Sequence, residues 1–346
     1  QIFLKKKNIN IFGPSKMASR LEGSKAFMKG ICKEFAIPSA KYEEINNLDE
    51  ANKALEKFKV PIVVKSDALA GGKGVTICNT KQDAFNDIKN ILSGKFEKSK
   101  KVIIEEFLQG EEASYFVVTD GENYIPIGTA QDHKRIGEND TGLNTGGMGA
   151  YSPSFLISKE VDKKIKKTII EPTINAMKAK GCPYKGILYA GLMINKSQPK
   201  LIEYNIRFGD PECQVLMMRL NNDLLEIIQS TLNKKLDKIE INWNNDFCMT
   251  IVAASKGYPE KFEKLKEIKN ISEFGKSSSK QLFHASTIKG KDGKIYSNGG
   301  RVLSSTVLNK SLKEARKEAL KILDSIDWEN KYYRRDIGYR IIDKWE

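Results

Sequence analysis

The first third of the chain changes from a helical to a strand-like period of apolar residues. Phe27, Ile31 and Phe35 recur at helical spacing behind Ser24, which predicts a helix capped by that serine. The segment "LDEANKALEKF" predicts a second helix, and "TKQDAFNDIKNIL" predicts a third. Between these two helices, the apolar runs "PIVVK" and "VTIC" flank the glycine-rich "SDALAGGKG" and predict a pair of strands. This order predicts a compact α+β unit at about residues 36–97.

From Lys101 onward, strand patterns dominate. "KVIIEEFL", "ASYFVVTD" and "YIPIGTA" predict three strands, and the polar stretch 131–153, with five glycines and no apolar periodicity, predicts a long loop. A helix over about 159–180 with a kink at Pro172 follows, and then the strands "GILYAGLMI" and "PKLIEYNIRF". Beyond residue 242, three strand patterns and the helix "LKEARKEALKILDSI" predict another α/β unit.

Length and composition are typical of a globular protein. The chain has 346 residues, of which 40% are hydrophobic and 29% charged. No apolar run is long enough to span a bilayer, and the first residues lack the apolar core of a secretory signal. We therefore expect a cytoplasmic protein without membrane association.

The cysteines and histidines argue against several kinds of chemistry. The five cysteines are scattered without a CxxC pair, there are only two histidines, and no GxSxG motif is present. We therefore expect neither a zinc site nor a catalytic triad.

The net charge of +14 is compatible with nucleic-acid binding or with anionic small substrates. However, the lysines alternate with Glu and Asp in amphipathic helices such as "KEARKEALKIL", which is typical of a solvated helix face. Because no nucleic-acid-binding motif accompanies the charge, we expect no nucleic-acid partner.

The glycine-rich stretch "AGGKGV" is a candidate phosphate loop. A Walker A motif needs Ser or Thr after its lysine, and here Gly74 follows Lys73, so that motif is excluded. A glycine loop between strands can form a hairpin turn or can cover phosphates with backbone amides. Lys25 lies near a helix start and Lys65 ends a buried strand; each could reach solvent or a phosphate.

Carboxylates cluster where the strand "KVIIEEFL" ends. The segment "IIEEFLQGEE" places Glu105, Glu106, Glu111 and Glu112 there. They form either an ordinary acidic turn or a set of acceptors for an adenine amino group and ribose hydroxyls.

A polar row follows one face of the predicted strand "IEYNIRF". Side chains alternate along a strand, so Glu203, Asn205 and Arg207 share one face, opposite Ile202 and Tyr204. This row is either a solvated face or a divalent-metal site, since carboxylate and amide oxygens suit Mg²⁺ and an arginine suits phosphate.

Taken in order, "EGSKAF", "PIVVKSD", "AGGKGV", "IIEEFLQGEE" and "IEYNIRFGDPE" resemble the ATP-grasp ligases. The longer motifs "QDHKRIGENDTGLNTGGMGAYSP", "GILYAGLM", "EYNIRFGDPE" and "NGGRVL" narrow the resemblance to the phosphoribosylamine–glycine ligases. The resemblance runs from Ile11 to about Ile342. It departs from the family pattern at Ala68, Gly71 and Leu143, which leaves the chemistry intact.

The resemblance implies an α/β (α+β) fold: an ATP-grasp domain of two α+β subdomains enclosing ATP, at 21–235, and a C-terminal α/β domain, at 236–346. The family carries a further subdomain before "IFGPS", so residues 1–20 are interpreted as its remnant and a linker, and the sequence as truncated.

The implied reaction joins glycine to 5-phosphoribosylamine through a glycyl phosphate, with ATP and Mg²⁺ or Mn²⁺, in purine biosynthesis. The alternatives are another ATP-grasp carboxylate–amine ligase or a basic nucleic-acid-binding protein. We expect a monomer.

The resemblance also implies roles for individual residues. Catalysis is expected from Lys25, Lys65 and Arg207, and metal binding from Glu203 and Asn205. The residues implied for nucleotide binding are Lys25, Lys65, Gly71, Gly72, Lys73, Gly74, Glu105, Glu106, Phe107, Leu108 and Glu112. The residues implied for the second substrate are Asp132, Lys134, Gly146, Gly147, Met148, Asp210, Gly300 and Arg301.

Overall fold

The computed structural model describes residue 7 and residues 9–67, 74–96, 101–271 and 277–345, with side chains up to residue 342. The strands are β1 Tyr42–Ile45, β2 Ile62–Ser66, β3 Val75–Cys78, β4 Val102–Glu106, β5 Glu111–Thr119, β6 Tyr124–Asp132, β7 Arg135–Gly137, β8 Thr141–Asn144, β9 Gly149–Ser152, β10 Gly186–Asn195, β11 Gln198–Asn205, β12 Phe247–Ser255, β13 Glu267–Ile268, β14 Lys280–His284, β15 Thr287–Lys289, β16 Ile295–Ser297, β17 Arg301–Asn309 and β18 Lys331–Tyr332. The α-helices are α1 Arg20–Gly23, α2 Lys25–Glu34, α3 Leu48–Glu56, α4 Lys81–Asn90, α5 Lys159–Ile165, α6 Glu171–Ala179, α7 Glu212–Arg219, α8 Leu224–Leu232, α9 Leu312–Ser325 and α10 Tyr339–Trp345.

The chain forms two compact units that interleave along the sequence. Unit 1 comprises Gln1–Pro126, Leu156–Phe208 and Leu224–Ile239; unit 2 comprises Ile127–Phe155, Gly209–Asp223 and Glu240–Glu346. The predicted domain bounds do not follow these units and stay predictions. In the described part of the chain, no helix is both long and apolar enough to cross a bilayer.

The smaller sheet of unit 1 separates an apolar face from a charged one. Its antiparallel order is β1-β4-β2-β3, as the predicted strand pair around the glycine loop requires. Ile62, Val64 and Ile104 point to one face and form a core with α3 and α4. Lys65 and Glu105 therefore lie on the opposite face.

The other sheet of unit 1, β11-β10-β5, repeats this division. The register pairs Ala190 with both Tyr204 and Tyr115, and all three pack into a core with α2, α5 and α6. Glu203 pairs with Gly191, so it lies on the other face. Each sheet of unit 1 thus packs one face into a core and carries a glutamate, Glu105 or Glu203, on the other, beside buried apolar residues such as Ile103 and Phe116.

Strand β11 is shorter than predicted and bulged. The pairing shifts between Gly191 and Leu192, which leaves Ile202 as the extra residue on β11. Leu201 and Tyr204 are consequently both buried although they are three residues apart, whereas Ile202 between them is only half-buried. The strand also ends before Arg207, so the arginine does not extend the row of polar side chains.

The predicted helix over 159–180 forms as α5 and α6, and the kink at Pro172 stays a prediction. A wide π turn at Lys166–Ile170 separates α5 from α6, and Pro172 lies in the first turn of α6. The amide of Glu171 donates to the carbonyl of Lys166 in this wide turn, so the helical path continues, while Pro172 itself has no amide hydrogen to donate.

Unit 2 is built on the antiparallel strands β9-β12-β17-β14, covered by α9. The end of β6 pairs with β9. Ala253 pairs with Leu303, and both pack with Leu323 of α9 in the core. A small sheet, β13-β16-β15, was not predicted, since its strands are only two or three residues long.

The stretch 131–153 was predicted as a loop, and this is wrong. Strands β7 and β8 form a hairpin inside it, and β9 joins the main sheet of unit 2. All four residues of β8 are exposed, so the strand shows no alternation of apolar and polar residues. In β9, a Cβ on Gly149 would lie 2.7 Å from the carbonyl oxygen of Thr250, which explains a glycine in a buried strand.

Candidate active site

A buried carboxylate shared by two lysines lies on the charged face of the smaller sheet in unit 1. Glu105 Oε2 is 2.9 Å from Nζ of Lys65, and Glu105 Oε1 is 3.3 Å from Nζ of Lys29. Lys29 is fully buried and also donates a 3.0 Å hydrogen bond to the carbonyl of Ala40. Burial lowers the pKa of Lys29, which nearby Glu105 counteracts. The three side chains carry one net positive charge away from water.

Lys25 lies one helical turn before Lys29 on α2, on the same side of the helix. Burial lowers the pKa of Lys25; Glu203 opposes this shift most strongly, whereas the positive charge of Lys65 adds to it. Residues predicted from separate motifs are therefore within electrostatic range of one another in unit 1.

The start of α2 is tied to the end of β2. Ser24 caps the helix as predicted, because its hydroxyl accepts a 3.1 Å hydrogen bond from the amide of Phe27. Asp67, just after β2, accepts from the amide of Ala26 at 2.9 Å and from the Ser24 hydroxyl at 3.2 Å. These contacts fix the segment that carries Lys25 against the strand that carries Lys65.

The predicted adenine-binding segment follows β4. Glu106 Oε1 accepts a 3.1 Å hydrogen bond from the amide of Lys41 and lies 3.3 Å from Nζ of Lys200. Burial would raise the pKa of Glu106, but these two partners lower it overall. Phe107 is 40% exposed, and Leu108 is half-buried. Glu106 is thus held by the protein, while the next residue offers an exposed aromatic ring.

The remaining predicted nucleotide contacts fall on β5 and on the glycine loop. Glu112 pairs with Met193 and lies on the same face of its sheet as Ser114. The carbonyl of Gly74 accepts a 2.9 Å hydrogen bond from the amide of Ser66, which closes the base of the loop. Gly71, Gly72 and Lys73 lie outside the described residues.

Glu203 and Asn205 offer a carboxylate and an amide on one face of β11, as predicted. A Cβ on Gly191, opposite Glu203, would lie 3.4 Å from Cγ of that glutamate, so the glycine leaves room for the side chain. Among the described residues, no group of three or more His, Cys, Asp or Glu could hold a metal ion. The pair fits an ion such as Mg²⁺, which takes few protein ligands and completes its shell with water and phosphate.

Arg207 lies just beyond β11 and is 59% exposed. Its guanidinium donates a 2.9 Å hydrogen bond to the carbonyl of Phe208, and its Nε is 3.8 Å from Glu22 Oε1. Glu22 also accepts a 3.1 Å hydrogen bond from the amide of Ile206 and so anchors the end of β11. An exposed guanidinium on an anchored segment can still turn toward a phosphate.

The predicted second-substrate residues of unit 2 gather around Arg301. One terminal nitrogen of Arg301 donates to the carbonyls of Gly146 and Asp210, at 2.6 Å each, and to that of Gly147 at 3.3 Å. The other lies 3.1 Å from Oδ2 of Asp210. Arg301 thus joins the segments around 146 and 210.

Two glycines and a tyrosine complete this cluster. Gly147 has a φ of +109°, and a Cβ there would lie 2.4 Å from Pro211 and 2.7 Å from Asp132 Oδ1. A Cβ on Gly300 would lie 2.2 Å from the ring of Tyr258, whose hydroxyl accepts a 2.9 Å hydrogen bond from the amide of Gly146. Glycines are required here because the backbone is in direct contact with other residues.

The segment 132–148 is held from several sides. The carbonyl of Lys134 accepts hydrogen bonds from the amide and hydroxyl of Thr145, at 2.7 and 2.8 Å. Met148 is fully buried in the core of unit 2, so its side chain packs there and only its backbone borders the glycine segment. His133 is 4% exposed, and its Nε2 accepts a 3.1 Å hydrogen bond from the amide of Gly338.

Sequence reasoning missed Lys29 and Tyr258. The available signal for Lys29 was its spacing: it follows Lys25 by four residues on a predicted helix, which puts both lysines on one side of that helix. No pattern in the sequence indicated that Tyr258 would lie over Gly300, because the contact joins two loops.

Two family models match the chain. That described as "Phosphoribosylglycinamide synthetase, ATP-grasp (A) domain" matches residues 23–213, and that described as "Phosphoribosylglycinamide synthetase, C domain" matches residues 248–340. The biotin carboxylase domain of Hydrogenobacter thermophilus 2-oxoglutarate carboxylase shares the fold, with a TM-score of 0.75 at 16% identity over 99% of this chain and 74% of that one. The fold and the A-domain match define an ATP-grasp enzyme.

Closer relatives narrow this class. Proteins named phosphoribosylamine–glycine ligase from Brucella melitensis biotype 1 and Agrobacterium fabrum are 44% and 46% identical over 99% and 98% of this chain and 80% of each relative. The crystal structure of phosphoribosylamine–glycine ligase from Thermotoga maritima has a TM-score of 0.87 at 34% identity, over 97% of this chain and 83% of that one. The chain belongs to the phosphoribosylamine–glycine ligase family. The predictions of an ATP-grasp α+β fold, of a ligase and of ATP as cosubstrate are confirmed.

Proposed function

We propose that this chain performs the reaction of its family, the ATP-dependent ligation of glycine to 5-phosphoribosylamine, which gives glycinamide ribonucleotide, ADP and phosphate. The observation that carries the assignment of roles is the shared carboxylate of Glu105 between buried lysines in unit 1. Such a positive, desolvated group of side chains is suited to a polyanion such as the triphosphate of ATP.

The charged face of the smaller sheet also suits a nucleoside. Val63 and Ile103 lie on this face beside Lys65 and are at most 9% exposed, so they form an apolar floor. The exposed ring of Phe107 and the backbone at Leu108 follow directly after β4 and would hold adenine. Glu112 would accept from the ribose hydroxyls.

The phosphates would be bound by Lys25 and Lys65, with Gly71, Gly72, Lys73 and Gly74 as the covering loop. Because burial lowers the pKa of Lys25, an anion beside it would restore the stability of its charged form. Arg207 would turn from Glu22 toward the phosphoryl group.

Glu203 and Asn205 would hold Mg²⁺ or Mn²⁺. When bound, the ion neutralises phosphate charge and orients the triphosphate. The residues of this chain hold the metal-binding pair in place: Glu22 anchors the end of β11, and Gly191 leaves space beside Glu203.

The chemistry needs no protein nucleophile. A carboxylate oxygen of glycine attacks the γ-phosphorus, the bond to ADP breaks, and glycyl phosphate forms. The amine of 5-phosphoribosylamine then attacks the acyl carbon, phosphate leaves, and the nitrogen loses a proton. Positioning and charge neutralisation suffice for both steps. Burial raises the pKa of every cysteine thiol, so none is a ready thiolate: Cys32, Cys78, Cys182, Cys213 and Cys248.

Unit 2 would bind the second substrate along the glycine segment. The backbone amides near Gly146 and Gly147 and the side chains of Asp132, Lys134 and Asp210 are the candidate contacts, with Arg301 and Gly300 shaping the segment. Arg301 would position the substrate-binding segment rather than contact the substrate, since its guanidinium already donates hydrogen bonds to three backbone carbonyls.

The test is ADP release by the purified chain with ATP, glycine and freshly formed 5-phosphoribosylamine, and with each component left out. Release that requires all three, with glycinamide ribonucleotide as product, supports the proposal. If other carboxylates or amines substitute equally well, the chain is a different ligase of the same class.

A further inference from the structure

Lys29 is a buried cation without a role in the reaction described above. Its side chain has no exposed surface, so it cannot reach a ligand in solution directly. Its ammonium contacts the carboxylate of Glu105 and the carbonyl of Ala40, and it lies 5.5 Å from the centre of the Tyr42 ring. A buried lysine is costly unless paired, and only one of its contacts here carries a negative charge.

Glu105 connects Lys29 to the proposed nucleotide site, because its two carboxylate oxygens contact different lysines. Lys65 contacts Oε2 at 2.9 Å, while Lys29 contacts Oε1 at 3.3 Å. With one carboxylate between two ammonium groups, neither lysine is fully neutralised. Without the charge of Lys29, Glu105 and Lys65 would form a neutral pair.

We propose that Lys29 is a positioning residue of the nucleotide site, whose positive charge occupies one oxygen of Glu105 and so leaves Lys65 available to the phosphates of ATP. This inference rests on the proposed function, because it assumes that Lys65 binds phosphate. Lys29 acts through Glu105 and touches neither substrate.

The competing role for Lys29 is a purely structural one, in which its hydrogen bond to the carbonyl of Ala40 anchors α2. The two roles are separable because K29Q keeps a donor and most of the side-chain length but removes the charge. K29R keeps the charge. K33Q, on an exposed position one turn further along α2, is the matched control.

The experiment measures the Kd of Mg-ATP by calorimetry, together with the KM values for ATP and glycine. K29Q should weaken ATP binding by about tenfold or more, with the KM for glycine within about twofold of wild type. K29R should stay within about threefold of wild type, and K33Q should have no effect.

The decisive variant is the double substitution K29Q/E105Q. It restores the net charge that Lys29, Lys65 and Glu105 carry together in the wild type, and it frees Lys65 from its carboxylate. ATP affinity should therefore recover to within about threefold of wild type, although two buried residues have been changed. A residue needed only to anchor α2 would give no such recovery.

An unchanged Kd in K29Q, or no recovery in the double variant, would overturn the proposal. Loss of the folded circular dichroism spectrum in both K29Q and K29R would assign Lys29 to folding and overturn it equally. K65M separates this inference from the proposed function. If K65M loses ATP binding while K29Q keeps it, only the inference fails; if K65M binds ATP normally, the assignment of the nucleotide site fails.

Discussion

The buried cations of unit 1 and unit 2 are partnered differently. In unit 1, Lys29 and Lys65 share the single carboxylate of Glu105. In unit 2, the fully buried Arg334 is paired with two carboxylates: it donates to both oxygens of Asp336 at 2.8 and 2.7 Å and to Asp140 at 2.8 Å. Asp140 also accepts a 2.6 Å hydrogen bond from Arg340.

We expect this difference to distinguish the proposed nucleotide site of unit 1 from a structural cluster in unit 2. Buried ammonium groups with too little negative charge nearby destabilise the folded protein until an anion binds, whereas a guanidinium paired with two carboxylates stabilises its surroundings. We therefore expect changes among the lysines of unit 1 to alter ATP binding more than stability, and changes at the buried arginine of unit 2 to do the reverse.

The largest stability effect is expected for R334M. This change leaves the carboxylates of Asp140 and Asp336 without their buried partner, which should lower the free energy of unfolding by about 3–5 kcal/mol. Urea denaturation measures this loss. The Kd of Mg-ATP should stay within about twofold of wild type, because the proposed nucleotide site lies in unit 1.

R335M is the matched control for R334M. Arg335 is 54% exposed and pairs with Asp324 through both terminal nitrogens, at 2.8 and 3.0 Å. An exposed pair of this kind contributes at most about 1 kcal/mol. Equal losses in the two variants would contradict the view that Arg334 acts as a buried scaffold.

The largest catalytic effect is expected for E203Q. Replacing the carboxylate by an amide removes the charged member of the proposed metal-binding pair, which should lower kcat by about 10²–10³-fold while leaving the unfolding transition nearly unchanged. Steady-state ADP release and thermal unfolding measure the two quantities. E34Q, which changes an exposed glutamate paired with Lys180, should leave both near wild type. Near-normal turnover of E203Q would refute the metal assignment.

The pH dependence of stability should be carried in part by His133 in unit 2. Burial, with the positive charges of Arg334 and Arg340, lowers its pKa to about 4, and Asp140 and Asp336 only partly oppose this shift. The unfolded chain binds a proton near pH 6.5 and the folded chain near pH 4, so stability is highest above this window. It should fall by up to about 3 kcal/mol as the pH drops through the window.

H133Q tests this assignment, since a glutamine can accept the amide of Gly338 but does not titrate. The difference in unfolding free energy between wild type and H133Q should shrink as the pH falls from about 7 to about 4. H284Q changes an exposed ring on β14 and should retain the wild-type dependence. A difference between wild type and H133Q that stays constant with pH would show that another group titrates.

Sequence patterns predicted the charges of unit 1 well because local motifs place them. Lys65 ends an apolar run and Glu203 alternates with Asn205, so strand periodicity alone assigned their faces correctly. Strand periodicity placed Arg207 in the same row, and this is wrong because β11 ends before it. The end of β11 and the bulge at Ile202 depend on pairing with β10, and a local sequence pattern does not contain that information.

The partners in unit 2 could not be predicted for a similar reason. Arg334 reaches Asp140 from almost two hundred positions away in the chain, in a stretch predicted to be a loop. The resemblance to a family indicated Arg301 and Gly146 as residues for the second substrate, but it did not indicate Tyr258, whose hydroxyl accepts from the amide of Gly146. Contacts between distant loops are set by tertiary packing and have no period to detect.

The smallest expected effect is that of Y258F. The ring would still lie over Gly300, but the acceptor for the amide of Gly146 would be lost. One hydrogen bond is worth about 0.5–1.5 kcal/mol, so the KM for the phosphoribosylamine substrate should rise by about two- to tenfold. The Kd of Mg-ATP should not change.

Y124F is the control for Y258F, because it removes an exposed hydroxyl that donates a 2.9 Å hydrogen bond to Glu171 in unit 1. It should leave the KM values for both substrates near wild type. If Y258F weakened ATP binding more than the binding of the amine substrate, the two units could not be assigned separate ligands. A selective rise in the KM for the phosphoribosylamine substrate would instead mean that even the scaffold of unit 2 affects binding through a single backbone amide.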